Sequence, residues 1–581
     1  MRQRKESIFS THDGEELFYR YWPASSEKSS GAIILFHRGH EHGERMAHLV
    51  DELDLPEFSF FAWDARGHGK SPGPRGYSPG IDYSVRDIQT FFEHIQNSFN
   101  FKQEDIAVIA QSVGAVLAST WIHDYAPKIR CAVIASPAFK VKLYVPFART
   151  AISLMQKLKG YFYVNSYVKA KFLTHDKERI DSYNKDPLIA RPISSKILLE
   201  LYEVSERIIK DAHAITVPIQ LLISGADWVV HQTPQHDFFN ELGSIRKERH
   251  VLDGFYHDTL GEKDRHIALE KARSFLLEQF GGEVQLPDLR KEHLRGLSRR
   301  EADNLSSPLP TFSFKGMYWS MMRFGMKIGA LLSRGVKIGE DTGYDSGSTL
   351  DYVYQNSPRG LGSLGRLVDK MYINSIGWKG IRKRKEHIEE LIDVVFEKLK
   401  SAGMETRVLD IAAGHGRYLL EEISKMNEKP DSVLLRDYSD INVECGNQLI
   451  QELKLQDIAT FIKADAFDAD SISNTTPKPT LGVISGLFEL FSDNELLERS
   501  LSGMGNAIQE NGYLIYTNQP WHPQLELIAR ALTSHRQSQA WVMRRRSQVE
   551  MDQLVEAAGF TKITQRIDKW GIFTVTLAQN I

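Results

Sequence analysis

The stretch AVIAQSVGAVLAS, residues 107–119, runs from a continuously apolar segment through a small-residue turn into a second apolar segment. Ala110 and Gly114 stand two residues either side of Ser112. A sharp strand-to-helix turn requires small residues at both places, because a larger side chain would meet the backbone as it folds back, and such a turn thrusts the serine outward. A serine so placed either caps a helix or acts as a nucleophile. The stretch by itself leaves both readings open.

Working outward, similar runs flank it: GAIILFHRG, FSFFAWDARG, IRCAVIASPA, PIQLLISGAD and ERHVLDGFYHD. Short apolar runs bounded by turn residues read as buried parallel strands of an α/β sheet. Ligands of such sheets bind beyond the carboxyl ends of the strands. Chain order then singles out partners, since a triad on this architecture comes as Ser, then Asp or Glu, then His. Asp227 ends the run IQLLISGAD, and His257 follows HVLDGFY. In that arrangement His257 takes the proton of Ser112 while Asp227 orients the imidazole. The amides of Val113 and Gly39 are the natural donors to an oxyanion. Between IASPA and PIQLLI lies a mainly helical insert rich in apolar and aromatic residues, in the position of a lid.

The motifs FHRGHEHGER, AWDARGHGKSPG, AQSVGA, SGADWVV and GFYHD, in this order, resemble the α/β-hydrolase superfamily over residues 10–280, in particular its monoglyceride lipase and lysophospholipase branch. The resemblance implies a triad of Ser112, Asp227 and His257, an oxyanion hole at Gly39 and Val113, a cap over about residues 139–211, and an acyl-ester or lipid substrate. Arg38 and Gln111 depart from the family's usual Gly and His. His37, His40 and His42 with Glu41 carry metal-ligand chemistry, but the resemblance places them beside the oxyanion loop, as hydrogen-bonding residues of the turn. No metal is expected. His68, in DARGHG, reads as structural.

A second α/β pattern begins near residue 375. RVLDIAAGHGRY is a strand, a small-residue loop and a helix, with Gly414 and Gly416 permitting close approach of backbone to ligand. SVLLRDYS ends a second strand at Asp437, and ATFIKADAFD ends a third at Asp465. A carboxylate at the end of the second strand accepts from ribose hydroxyls in dinucleotide folds, which points to a nucleoside-based cofactor. The ending GFTKITQRIDKWGIFTVTLAQ reads as two long strands and disfavours a nicotinamide dehydrogenase. This half resembles class I S-adenosylmethionine-dependent methyltransferases over residues 375–581. The resemblance implies S-adenosylmethionine as cofactor, a first motif at Asp410, Ala412, Gly414 and Gly416, ribose at Asp437, adenine at Asp465 and Ala466, and ISGLFELF beside the cofactor. Trp521 and His522 in NQPWHPQ fall where an acceptor would lie, and Arg544, Arg545 and Arg546 read chiefly as a solvated helix face.

At 581 residues the chain exceeds one core, so the expected plan is residues 1–280, a linker and N-terminal extension over 281–374, and 375–581. A net charge of −3 provides no global basic field for coating nucleic acid. Cys131 and Cys445 are the only cysteines, which supports neither a disulfide framework nor a thiolate metal site and fits a cytoplasmic protein. The segment FKGMYWSMMRFGMKIGALLSRGVKIG carries Lys315, Arg323, Lys327, Arg334 and Lys337 without an acid. It reads chiefly as a helix packed between domains, with peripheral contact to an anionic membrane as the alternative. The functional expectation is an acyl-ester hydrolase fused to a methyltransferase. Alternatives are an active hydrolase with a catalytically silent cofactor-binding domain, and a peptidase-type serine hydrolase.

Overall fold

The computed structural model describes residues 2–26, 29–166, 168–310, 312–536 and 539–581. The chain divides into two compact units, Met1–Pro287 and Asp288–Ile581, each with its own sheet and core.

In the first unit the strands are β1 (Lys5–Ser10), β2 (Glu16–Trp22), β3 (Gly31–Phe36), β4 (Phe58–Trp63), β5 (Ile106–Gln111) and β6 (Cys131–Ala135), a short ribbon of β7 (Tyr163–Asn165) with β8 (Pro192–Ser194), then β9 (Ile219–Ser224) and β10 (Lys247–Leu252). The main sheet runs β1-β2-β4-β3-β5-β6-β9-β10. Every residue of β3, β4, β5, β6 and β9 is buried, as expected of strands covered on both faces. From β4 to β10 neighbouring strands are parallel; β1 and β2 pair antiparallel and join through β4. This edge hairpin alternates buried and exposed residues, so it lacks the continuous apolar run that marks its buried neighbours. Between β6 and β9 lie the helices Ala148–Lys159, Lys177–Lys185 and Ser195–Lys210 and the β7–β8 ribbon.

In the second unit the strands are β11 (Arg407–Ile411), β12 (Ser432–Asp437), β13 (Ala459–Lys463), β14 (Leu481–Ile484), β15 (Tyr513–Asn518), β16 (Phe560–Ile567) and β17 (Thr574–Asn580). Their order is β13-β12-β11-β14-β15-β17-β16. The first five are mutually parallel, and β17 inserts antiparallel between β15 and β16. The order reverses between β11 and β14, which opens a crevice at the carboxyl ends of the strands. Residues 292–373 form helices inside this unit, including Phe314–Leu332 and Arg334–Thr342. The long helix Ile376–Ser401 buries Ile388, Leu391, Ile392, Val395 and Leu399, a 3.6-residue stripe, in the core with β11 and β12.

Candidate functional site

In the first unit, Ser112 sits between β5 and the helix Val113–Tyr125 with φ +57°, a backbone conformation that non-glycine residues rarely adopt. The tight turn brings the helix against β3: a Cβ on Gly114 would lie 2.4 Å from the carbonyl oxygen of His37. His257 Nε2 lies 2.7 Å from Ser112 Oγ, and its Nδ1 lies 2.7 Å from Asp227 Oδ2. The amides of Val229 and Val230 donate to the other oxygen of Asp227, at 2.7 and 2.9 Å. Burial raises the pKa of that carboxyl, but His257 and the two amides outweigh it and hold the group below its ordinary range. Gly39 packs on Val113, with room for no Cβ: one would stand 2.8 Å from Val113 Cγ2. Ser112, His257, Gly39 and Val113 border a mainly apolar cavity of about 380 Å³, walled by Leu143, Ile152, Leu198 and Leu201 among others.

The two departures from the family pattern, Arg38 and Gln111, meet at Asp258 beside this site. Gln111 donates to the His257 carbonyl at 3.0 Å and to Asp258 Oδ1 at 3.3 Å. Arg38 pairs with Glu41 and lies 3.4 Å from the second oxygen of Asp258, which Arg179 also holds. Burial pushes the Asp258 pKa up, but Arg179 and Arg38 dominate and keep it ionised. The loop carrying His257 is thus tied to both the nucleophile strand and the oxyanion loop. Nothing in the sequence spacing signals this network, whose members are up to 220 residues apart (Arg38 to Asp258).

The histidines of the oxyanion loop take separate partners. His37 Nδ1 faces the Arg38 carbonyl and its Nε2 accepts from Ala65 N, His40 Nδ1 faces the Ala190 carbonyl, and His42 Nε2 faces Asp186. His68 Nδ1 lies 2.9 Å from the Arg66 carbonyl. Elsewhere, His12, Asp13 and Asp87 bring ligand-type atoms within 4.8 Å of one another, with Arg66 bonded to both carboxylates.

In the second unit, the loop after β11 holds Ala412 at φ +55°, Gly414 at +61° and Gly416 at +71°. A Cβ on Gly416 would lie 2.4 Å from Leu435 Cδ2. Asp437 Oδ2 accepts from Gly414 N at 2.9 Å, and its Oδ1 accepts from Ser439 N and Asn442 Nδ2, both at 2.9 Å. Ala412, Gly414, Gly416, Asp437, Asp465 and Ala466 together border a cavity of about 1,000 Å³. Asp410 lies outside that lining, fully buried, and accepts from Tyr418 OH at 2.7 Å. Desolvation drives its pKa well up, against the Tyr418 hydrogen bond and with the help of the nearby Asp437 charge. Residues that sequence reasoning left in a linker also line the cavity: Ser346, Gly347, Asp351 and Tyr354, on or beside the helix Gly347–Gln355.

Arg544, Arg545 and Arg546 are buried and precede the helix Gln548–Ala557, contrary to the solvated helix face expected of them. Arg544 pairs with Glu550 at 2.7 Å and donates to Asn494, while Arg546 donates to the carbonyls of Phe488 and Phe491. They brace the segment after β14. A run of three arginines looks solvated in sequence because most of the acceptors that hold Arg544 and Arg546, namely Asn494 and the Phe488 and Phe491 carbonyls, lie 50 or more residues upstream.

A family model described as "Putative methyltransferase" matches residues 272–580, and one described as "Serine aminopeptidase, S33" matches residues 27–264. The chain is 53% identical to the uncharacterized protein YnbC of Escherichia coli (strain K12) over 573 residues, 99% of this chain and 98% of that protein. It is 26% identical to the monoglyceride lipase of Mus musculus over 252 residues, covering 42% of this chain and 80% of the lipase. Among solved structures, the monoacylglycerol lipase of Paleococcus ferrophilus aligns at 22% identity with a TM-score of 0.40, over 48% of this chain and 99% of that one.

Proposed function

Because this chain belongs to the family described as putative methyltransferases and carries a hydrolase domain distantly related to monoglyceride lipases ahead of it, we propose that it is a serine hydrolase of acyl esters joined to an S-adenosylmethionine-dependent methyltransferase. The hydrolase reading rests on one observation: Ser112, His257 and Asp227 are linked by two 2.7 Å contacts, with Ser112 and His257 in the wall of an apolar cavity. His257 accepts the Ser112 proton as Oγ attacks the ester carbonyl, Asp227 holds the imidazole and stabilises its charged form, and the amides of Gly39 and Val113 receive the developing oxyanion. The apolar walls favour a monoacylglycerol- or lysophospholipid-like ester over a peptide, whose backbone amides would lose water there without new partners.

For the second unit, the residues fit a nucleoside cofactor. Asp437 Oδ2 keeps one lone pair beyond the three hydrogen bonds the carboxylate accepts, and the Gly414–Gly416 loop leaves backbone open where side chains would intrude. Asp437 would bind ribose, Asp465 and Ala466 adenine, and the glycine loop the aminoacid end. S-adenosylmethionine supplies an electrophilic methyl group on sulfur; the protein's part is positioning and exclusion of water. Two free cysteines, Cys131 and Cys445, suit a reducing, cytoplasmic setting. Among the described residues no helix is long and apolar enough to cross a membrane.

Mass-spectrometric mapping after fluorophosphonate treatment tests the first half: modification at Ser112, lost in His257→Ala, is expected, and an unlabelled, folded wild type that also leaves an acyl-ester panel intact would overturn it. Calorimetry tests the second: S-adenosylmethionine binds the whole chain, and more weakly by about tenfold or more in Asp437→Ala.

A further inference from the structure

Next to the large cavity of the second unit lies a smaller one of about 250 Å³, and the two share Asp345, Leu350, Gly486 and Leu490 in their walls. Its lining is mostly apolar and aromatic, with Trp378, Trp541, Phe573, Ile381 and Met326 among the residues. Four polar atoms of the lining residues are buried without a hydrogen-bond partner among the described residues: Glu489 Oε2, Arg384 Nε, Trp541 Nε1 and the Tyr372 hydroxyl. An unpaired buried polar group is destabilising, so four around one cavity point to a ligand that satisfies them.

Glu489 stands at the junction. It follows β14 in the motif ISGLFELF, its Oε1 accepts from Thr517 Oγ1 at 2.8 Å, and Thr517 Oγ1 in turn accepts from Gly486 N at 2.9 Å. Arg384 Nη1 lies 3.4 Å from the same oxygen, and a Cβ on Gly486 would lie 2.9 Å from Arg384 Nη2. The carboxylate is thereby oriented through Oε1 while Oε2 is left over. His522 adds a donor: its Nδ1 accepts from Gln524 N at 3.0 Å, so the neutral ring carries its hydrogen on Nε2. Burial lowers its pKa to about 4 and keeps it neutral.

We propose that this smaller cavity is the methyl-acceptor site, that it takes a small neutral aromatic molecule whose reacting heteroatom carries a hydrogen, a phenol-type hydroxyl or its amine or thiol counterpart, and that Glu489 is the base that receives that hydrogen. The inference rests on the methyltransferase reading above. Size decides against a long acyl chain, because an apolar cavity of about 150 Å³ accommodates benzene and this one accommodates a substituted ring. Charge decides against an anion: Arg384 and Glu489 already balance, and a further buried charge would stand unpaired. In the transfer, the acceptor heteroatom bonds to the methyl carbon as the methyl–sulfur bond of the sulfonium donor breaks; the sulfur keeps that electron pair as a neutral thioether, and the heteroatom's proton passes to Glu489 Oε2.

The test uses the full chain at pH 6, where aryl thiol and aryl amine are mainly neutral and benzoate is ionised, with p-cresol, 4-methylaniline, 4-methylthiophenol and benzoate as probes, read by tryptophan fluorescence and then by methyl transfer. At least one of the three neutral probes is expected to quench the wild type, with benzoate weaker by tenfold or more, and Ala531→Phe, which fills the cavity, is expected to lose the quenching while still binding S-adenosylmethionine. Glu489→Gln should bind the neutral probe within a few-fold of wild type yet transfer methyl about 10²–10⁴ times more slowly, the usual weight of a general base. Benzoate binding as tightly as the neutral probes, no probe binding by protein that binds the cofactor, unchanged binding in Ala531→Phe, or wild-type transfer in Glu489→Gln would each overturn the proposal. Failure of the wild type to bind S-adenosylmethionine at all would instead remove the methyltransferase reading, and this inference with it.

Discussion

Ser112 is held at φ +57° between a buried strand and a buried helix, so its position depends on neighbours that cannot move: Gly114 against His37 and Gly39 against Val113. The histidines around it are equally constrained. Burial lowers the pKa of His40 and of His68 to about 4, with each ring also depressed by neighbouring charge. Unfolded, each would titrate near 6.5. Between those values the unfolded chain binds more protons than the folded one, so stability falls as pH drops from about 6.5 to about 4. Each histidine contributes on the order of 3 kcal/mol to that loss. Denaturant unfolding of the hydrolase unit, followed from pH 7 to pH 4.5, should show a midpoint that declines steeply, and less steeply in His68→Gln. A flat midpoint would mean that these rings are hydrated in solution.

Among the elements, the helix Phe314–Leu332 divides two readings between its faces. Trp319 is buried and Met322 and Met326 line the smaller cavity, so this face of the helix packs within its own unit, not the interdomain packing read from the sequence. Its other face is bare: Phe314 is 96% exposed, and Met317, Met321, Phe324, Ile328 and Leu331 follow at helical spacing. Contiguous exposed apolar surface of this kind, with Arg323 and Lys327 exposed on the same helix, predicts an interaction site. Anionic phospholipid vesicles should therefore retain the protein in flotation at low salt, neutral vesicles less, and Phe314→Ser with Phe324→Ser should abolish retention without lowering ester hydrolysis of a soluble substrate. Equal retention of that double variant would assign the face elsewhere. The segment Phe58–Trp63 shows the opposite extreme, an element whose six residues are all buried and whose type is legible from hydrophobicity alone.

For the whole molecule, each unit contains a complete sheet, a continuous core and its own cavities. Residues 1–287 and 288–581, expressed separately, are expected to fold, the first retaining fluorophosphonate labelling and the second S-adenosylmethionine binding within about tenfold of the full chain; an aggregated fragment would show that its core is incomplete. The fold class was readable from short apolar runs ending in small or acidic residues, since buried parallel strands need unbroken hydrophobicity and the polar residues fall where the strands end. The placement of Ser112, Asp227, His257, Asp437 and Asp465 at or shortly after strand ends was likewise readable, because the apolar runs show where the strands stop. What the linear order conceals is everything assembled across distant segments. The Arg38–Glu41–Asp258–Gln111 brace, the burial of Arg544 and Arg546, and the contribution of Ser346 and Asp351 to the larger cavity all depend on partners tens to hundreds of residues away. Patterning by itself determined where strands end and which side chains therefore sit at their tips; only the tertiary structure decided which of those tips meet, because a buried charge finds its counterion by packing and not by proximity along the chain.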